Sequence, residues 1–444
     1  IQVKVMDSKK VIAIVVVAVV VVAAVAVYMT IGGEDGEDYR SSNTDCRLQI
    51  LGNADEDDYF DDRDVAKINE MIANGEYSQM ADANNDGKVD QADADMVQRI
   101  IDLRASNQGK ALDEKETTTV NYISIDNEVL SATYPVGKII IANSQRALDI
   151  AIALGVDDRV VGATVTDLMS YWDDAEYAGC EDIVDVGTRK EPNLEEIAKL
   201  DADSIYAGQA SKTLVNVEGN MAGDKQILRL PTWEHGGIAG AALTLGFFMD
   251  VEDSAETYVK WMDDLNNEVK DRLSDVDTEN VSFLVMSSPT AMAVQTDGVS
   301  SAMDNTGAFN SGNKIIPNKN TSYGRTADYK EDILIEDPDY IIFSSYIMSQ
   351  MTDSEIQEKF DSRADSWEEL FGQTTAYKEG RIIMTDYGAP FCIVTLVGAS
   401  ILFEDQFTQE YVTEKVQEYM DLFTNAPDDF EVQYSHIVYH PLEA

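Results

Sequence analysis

Basic residues are scarce in this chain. Of 444 residues, 33 are Lys or Arg and 82 are Asp or Glu, a formal charge of −49. A surface that acidic repels phosphate backbones, so nucleic acid is excluded as a partner. Such acidity suits an extracellular setting and speaks to solubility rather than fold. Cysteine is nearly absent: Cys46, Cys180 and Cys392 are scattered, which rules out a disulfide framework and a clustered thiolate metal site. Histidine is equally rare, at three residues. No nucleophile–base pair, no phosphate-binding glycine loop and no zinc-type spacing occurs, and the chain does not read as an enzyme.

Charge is missing altogether from residues 11–31, and residues 11–27 contain only Val, Ile and Ala. About 20 helical residues span a bilayer core. Lys9 and Lys10 precede the run, and Glu34, Asp35, Glu37 and Asp38 follow it. The positive flank stays in the cytoplasm, so an uncleaved anchor at 11–31 with the bulk of the chain outside is the expectation, ahead of a cleaved signal segment. Met6-Asp-Ser-Lys-Lys reads as a natural beginning.

The acidic residues are not spread evenly. Asp82, Asn84, Asp86, Asp90 and Asp93 stand at positions 1, 3, 5, 9 and 12 of a twelve-residue loop, with Gly87 at position 6 and the Lys88 carbonyl at position 7. Calcium takes about six to eight hard oxygen ligands, and this spacing wraps them around one point. Asn53, Asp55, Asp57, Asp61 and Asp64 repeat it upstream, with Tyr59 at the carbonyl position and Asp58 in place of glycine. Each loop runs into a helical pattern: Val65, Ile68, Met71 and Ile72 after the first, Met96, Val97, Ile100 and Ile101 after the second. Helices before the loops are missing, and Asp rather than Glu closes each. Over about residues 44–105 the duplicated loop–helix units resemble a dockerin module. That resemblance implies a small α-helical domain holding one or two calcium ions and a cohesin as partner. Asn53 and Asp58 depart from the pattern, which weakens the first site. Residues 106–118 are polar and read as a flexible linker.

Beyond residue 118, short β-branched runs alternate with helical patterns. Lys138–Ala142, Arg159–Ala163, Ile183–Val186, Ser204–Ala207 and Gln226–Leu230 read as strands of one half; Val281–Met286, Tyr340–Ser344 and Arg381–Met384 as strands of another. Between them Ser254–Leu273 is one long helix whose apolar face carries Tyr258, Trp261, Met262 and Leu265. Alternation of this kind means parallel sheets covered on both sides, hence an α/β protein of two Rossmann-like lobes: 119–250, a connecting helix within 251–276, and 277–444.

Several stretches, in order, carry a further resemblance: Val136-Gly-Lys-Ile-Ile-Ile, Ala153–Gly162, Asp185-Val-Gly-Thr with Glu191-Pro-Asn-Leu-Glu-Glu-Ile, Tyr329–Ile342 with its Asp-Pro-Asp, and Trp367-Glu-Glu-Leu with Tyr377–Ile383. Together they resemble the solute-binding proteins of ABC importers for iron-siderophores, haem and cobalamin, over about residues 120–425. Asp201-Ala-Asp203 stands where that family has Pro-Asp. The resemblance implies capture of a metal chelate between the lobes and delivery to a permease. It also implies one docking glutamate per lobe, Glu195 and Glu331.

Ligands of parallel α/β sheets bind outside the carboxyl ends of the strands. The loops there carry Tyr171, Trp172, Arg189, Trp233 and His235 in the first lobe and Tyr323, Arg325, Tyr346 and Tyr387 in the second. Aromatic faces hold flat chelates or macrocycles, arginine forks pair with carboxylates, and His235 is a candidate axial ligand to haem or cobalt. His436 and His440 lie in the tail and are assigned no chemistry. The scattered methionines read as core or cleft lining. Two other readings stand beside transport: a surface scaffold component docking a cohesin, and a chelatase-like metal enzyme, which would need Cys or His ligands in the cleft.

Overall fold

The computed structural model describes residues 47–142, 145–164, 180, 182–188, 191–207, 225–232, 237–346, 352–386 and 390–441. The two loop carboxylates at position 9 become helix caps. Asp61 accepts from Arg63 N to start α1 (Asp62–Asn74), and Asp90 accepts from Ala92 N to start α2 (Gln91–Asn107). Asp64 and Asp93, at position 12, complete reciprocal capping boxes that satisfy the orphan N–H groups of each first turn. α1 ends where Gly75 enters the left-handed region at φ 68°. Ile68, Met71, Val97 and Ile100 are buried where the two helices pack.

A hairpin follows, β1 (Thr118–Ile123) antiparallel to β2 (Val129–Tyr134). The first lobe comprises β3 (Ile139–Ile141), α3 (Gln145–Ala153), β4 (Val160–Ala163), β5 (Val184–Asp185), α4 (Leu194–Lys199), β6 (Ser204–Ala207), β7 (Gln226–Arg229) and α5 (Gly237–Met249). Its sheet is parallel, in the order β5-β4-β3-β6-β7. Asp203, beside the missing Pro-Asp, accepts from the backbone N–H groups of Gly137 and Lys138 and fastens the turn into β6.

The connecting helix α6 runs Glu252–Leu273 and buries Tyr258, Met262 and Leu265 as expected; Trp261 is half-buried against Tyr419 and Phe423. The second lobe comprises β8 (Ser282–Ser288), β9 (Ala291–Ala293), α7 (Gly298–Asp304), β10 (Phe309–Asn310), α8 (Ser311–Ile315), β11 (Tyr323–Arg325), α9 (Lys330–Glu336), β12 (Tyr340–Tyr346), α10 (Asp353–Asp361), α11 (Ala364–Phe371), α12 (Thr375–Lys378), β13 (Ile382–Asp386), α13 (Phe391–Leu402), α14 (Gln409–Phe423) and β14 (Val438–Tyr439). β8, β12 and β13 are parallel; β9, β11 and β14 add antiparallel strands, in the order β11-β9-β8-β12-β13-β14, with β10 on β8. The two-lobed α/β expectation therefore holds.

The calcium-loop module differs from a tethered appendage. Its core is continuous with that of the first lobe: Phe60 packs edge-on to Phe247 of α5, at 5.3 Å between centroids. Arg104 lies over the same ring, donates to the Phe60 carbonyl and pairs with Glu252. Ile50 bridges Tyr122 of the hairpin. Gly240 of α5 is placed where a Cβ would meet the Arg47 carbonyl oxygen at 2.7 Å, so the two backbones touch only because no side chain intervenes. The stretch 106–118, expected as a flexible spacer, is tied to the body at several points. Asn107 exchanges two hydrogen bonds with Glu116, Leu112–Glu114 forms a 3-10 turn, and Lys115 pairs with Asp250. Lys110 also lies 4.0 Å from Glu116, and composition alone reveals none of these pairings.

The segment 11–31 lies outside the described residues. Among the described residues no helix is long and apolar enough to cross a membrane.

Candidate ligand cleft and calcium loops

The carboxyl ends of the parallel strands set the cleft. Most of the residues singled out there, Tyr171, Trp172, Arg189, Trp233, His235 and Tyr387, lie outside the described residues, as does the side chain of Tyr346 at the end of β12. Tyr323 and Arg325 are described. They sit on the sheet-edge strand β11, on the same exposed face, with Arg325 level with Ala291, at the end nearer the β8–β9 turn. The Tyr323 hydroxyl donates to Asp297, the buried cap of α7, at 2.8 Å, and Arg325 is largely exposed, 3.6 Å from Asp328.

The structure adds one residue that loop reading missed. Arg146, only 6% exposed, stands in the first turn of α3 directly after β3. Its guanidinium lies 4.9 Å over the ring of Phe391, which opens α13 after β13. The two side chains follow strands of different lobes and so meet at the cleft floor. Arg146 also pairs with buried Asp149 at 3.7 Å. A cation in a helix first turn opposes the helix dipole, and that was the available signal.

The two loops fold around their acidic side chains in different ways. In the second, both oxygens of buried Asp82 accept from the backbone, Oδ1 from Asp86 at 3.0 Å and Oδ2 from Gly87 at 2.8 Å. Gly87 sits at φ 86°, where a side chain is strained. Asp93 accepts from Asn84 N and Asp90 N, closing the loop on itself. The Asn84 Oδ1 atom, at position 3, is buried and accepts no hydrogen bond. Burial, opposed by its backbone bonds, raises the Asp93 carboxyl, and the charges of Asp82 and Asp90 add to the rise. Asn84 Oδ1 is an oxygen donor of the kind a hard cation takes.

The first loop wraps similarly. Asp64 accepts from Ala54 N and Asp61 N, and Asp57 accepts from Tyr59 N at 2.8 Å. Burial pushes Asp64 up to about 8 and Asp57 up to about 6, each with the Asp55 charge adding. Asn53, however, turns its amide nitrogen inward, donating to the Leu48 and Asp57 carbonyls. Arg63 Nη2 lies 3.0 Å from Asp57 Oδ2 and 2.9 Å from Asp61 Oδ2. Among the described residues no group of three or more His, Cys, Asp or Glu side chains converges to hold a metal, so any calcium set draws on Asn and carbonyl oxygens as well.

A cavity of about 120 Å³ separates the first loop from α5 and α6, with Asp58, Asp61, Arg104, Glu252 and Glu256 in its wall. Burial and neighbouring carboxylates push Glu252 up to about 7 and Glu256 up to about 8. A carboxyl raised above its unfolded value stabilises the fold when protonated. That contribution is complete below the unfolded value and is lost as pH rises through 7 and 8. The melting temperature should therefore fall over pH 6–8.5, and Glu256→Gln should flatten the fall. An unchanged slope in the variant would refute the assignment.

A family profile described as periplasmic binding protein matches residues 140–387, across both lobes. The chain belongs to the periplasmic binding protein family. Membership makes it a substrate-binding transport protein, working by capture and delivery. Solved structures share the fold. CeuE of Helicobacter pylori, in a nickel–histidine complex, has 16% identity and a TM-score of 0.55, covering 70% of this chain and 97% of that one. The TroA-like periplasmic binding protein FepB of Veillonella parvula has 15% identity and a TM-score of 0.55, covering 72% and 99%. The molybdate periplasmic binding protein MolA of Haemophilus influenzae has 13% identity and a TM-score of 0.55, covering 68% and 97%. No curated protein matches the chain.

Proposed function

We propose that this protein is the extracytoplasmic binding component of an ABC importer for a small metal chelate or metal-containing anion. The observation that carries the reading is the family match over both lobes. Arg146 supplies a buried cation at the cleft floor, and Arg189 and Arg325 add cations to its loops. An anionic chelate is the ligand such forks recognise in a chain otherwise so acidic. Tyr171, Trp172, Trp233, Tyr323, Tyr346 and Tyr387 supply aromatic faces, and His235 an axial ligand where the guest is haem or cobalamin. The segment 11–31 anchors the chain with its body outside, where the second loop, 82–93, takes calcium through Asp82, Asn84, Asp86, Lys88 O, Asp90 and Asp93.

The test is a titration of the purified chain with ferric siderophores, haemin, cobalamin, nickel–histidine and molybdate, reading intrinsic tryptophan fluorescence. Saturable quenching by one of them at micromolar concentration is expected. Flat traces with all five would overturn the ligand class.

A further inference from the structure

The two loops share a spacing, and of their differences those at positions 6 and 11 bear most directly on a cation. The second has Gly87 and Ala92 there; the first has Asp58 and Arg63. Both differences act on charge. Arg63 folds back over its own loop, its Nε within 3.1 Å of both Asp61 oxygens and its Nη2 bridging Asp61 and Asp57. Asp57 and Asp61 are positions 5 and 9, two of the side chains a bound calcium would need. Arg63 also lies 5.3 Å over the ring of Tyr59, at position 7. Asp58 lies outside the left-handed region that Gly87 occupies. Its carboxylate leaves the loop for a two-pronged pair with Arg47, whose Nη1 donates to Asp263 of the connecting helix at 2.7 Å. At position 1, Asn53 presents its amide N–H to the Asp57 carbonyl of the loop.

We propose that the first loop has exchanged its calcium for the chain's own guanidinium groups, Arg63 within it and Arg47 beside it, and serves as the joint that fixes the module to the connecting helix. The proposal rests on the calcium-loop reading of residues 53–64 and 82–93. A guanidinium is planar, permanently charged and forked, so one side chain joins two carboxylates that calcium would otherwise hold. The chain then takes one calcium, at the second loop, and the joint stays closed without metal.

The experiment uses the full chain. Calcium sites are counted by titration calorimetry on wild type and on Asp82→Asn/Asp86→Asn, and the Arg63→Gln variant is melted in EDTA. One site in wild type, none in Asp82→Asn/Asp86→Asn, and a melting temperature about 2–4 °C lower for Arg63→Gln in EDTA are expected. Calcium still bound by the Asp82→Asn/Asp86→Asn chain would overturn the proposal, as would an unchanged EDTA melting point for Arg63→Gln. Should wild type take no calcium, the second-loop reading fails, while the lowered EDTA melting point still supports the first-loop assignment.

Discussion

Replacing Arg47 by alanine should lower the stability of the folded chain by about 3–5 kcal/mol, the range for breaking a buried ion pair from one side. Arg47 is 5% exposed and Asp58 is 8% exposed. Burial disfavours the Arg47 charge, but the bonds to Asp58 and Asp263 more than offset that and hold it protonated. Removing it leaves the Asp58 carboxylate in a site with little access to water and its nearest cation gone. The loss reaches beyond the module, because Arg47 is also the tie to Asp263 on α6. Guanidinium-chloride unfolding, followed by tryptophan fluorescence, measures the difference. Pairing the change with Asp58→Leu should recover much of it, since replacing both partners by apolar groups removes the stranded charge. A loss under about 1 kcal/mol for the single variant would show that water reaches Asp58 and that the joint is a surface pair.

The architecture was legible where local chemistry decides it. Ile139–Ile141 and Tyr340–Tyr346 announce buried strands by β-branching, and Asp61 with Asp64, or Asp90 with Asp93, announce helix starts. The hairpin 118–134 was missed, although its buried residues, Val120, Tyr122, Ala132 and Tyr134, fall at alternate positions. Strands β9, β10, β11 and β14 are two or three residues long and leave no period to read. What joins the module to the body was illegible for another reason. The Arg47–Asp263 contact spans 216 residues, and in a chain with 82 acidic residues no sequence rule selects that partner. At the strand ends, reading loops named Tyr323 and Arg325 and passed over Arg146, because it belongs to a helix first turn.

Reversing Glu195 and Glu331 to lysine together should reduce permease-dependent uptake by about 10²-fold or more, while ligand affinity changes less than about twofold. Both carboxylates are exposed, Glu195 in the first turn of α4 and Glu331 in the first turn of α9. α4 follows β5, and α9 follows β11, which pairs with β9, runs in the same direction as β8 one strand further in, and ends level with the carboxyl end of β8. Each helix therefore starts on the cleft side of its lobe, and a membrane partner approaching the cleft mouth meets one glutamate from each. If the permease receives these glutamates in basic pockets, as the family resemblance implies, lysine turns attraction into like-charge repulsion, which costs several kcal/mol across an interface. The fold should tolerate the change. Lysine in a helix first turn opposes the dipole by about 0.3–1 kcal/mol at an exposed site. Uptake of the titrated ligand into proteoliposomes carrying the permease, beside a fluorescence titration of the same variant, separates docking from binding. Uptake at the wild-type rate would mean that the permease reads another part of the surface, and a parallel loss of affinity would place the glutamates in the ligand site instead.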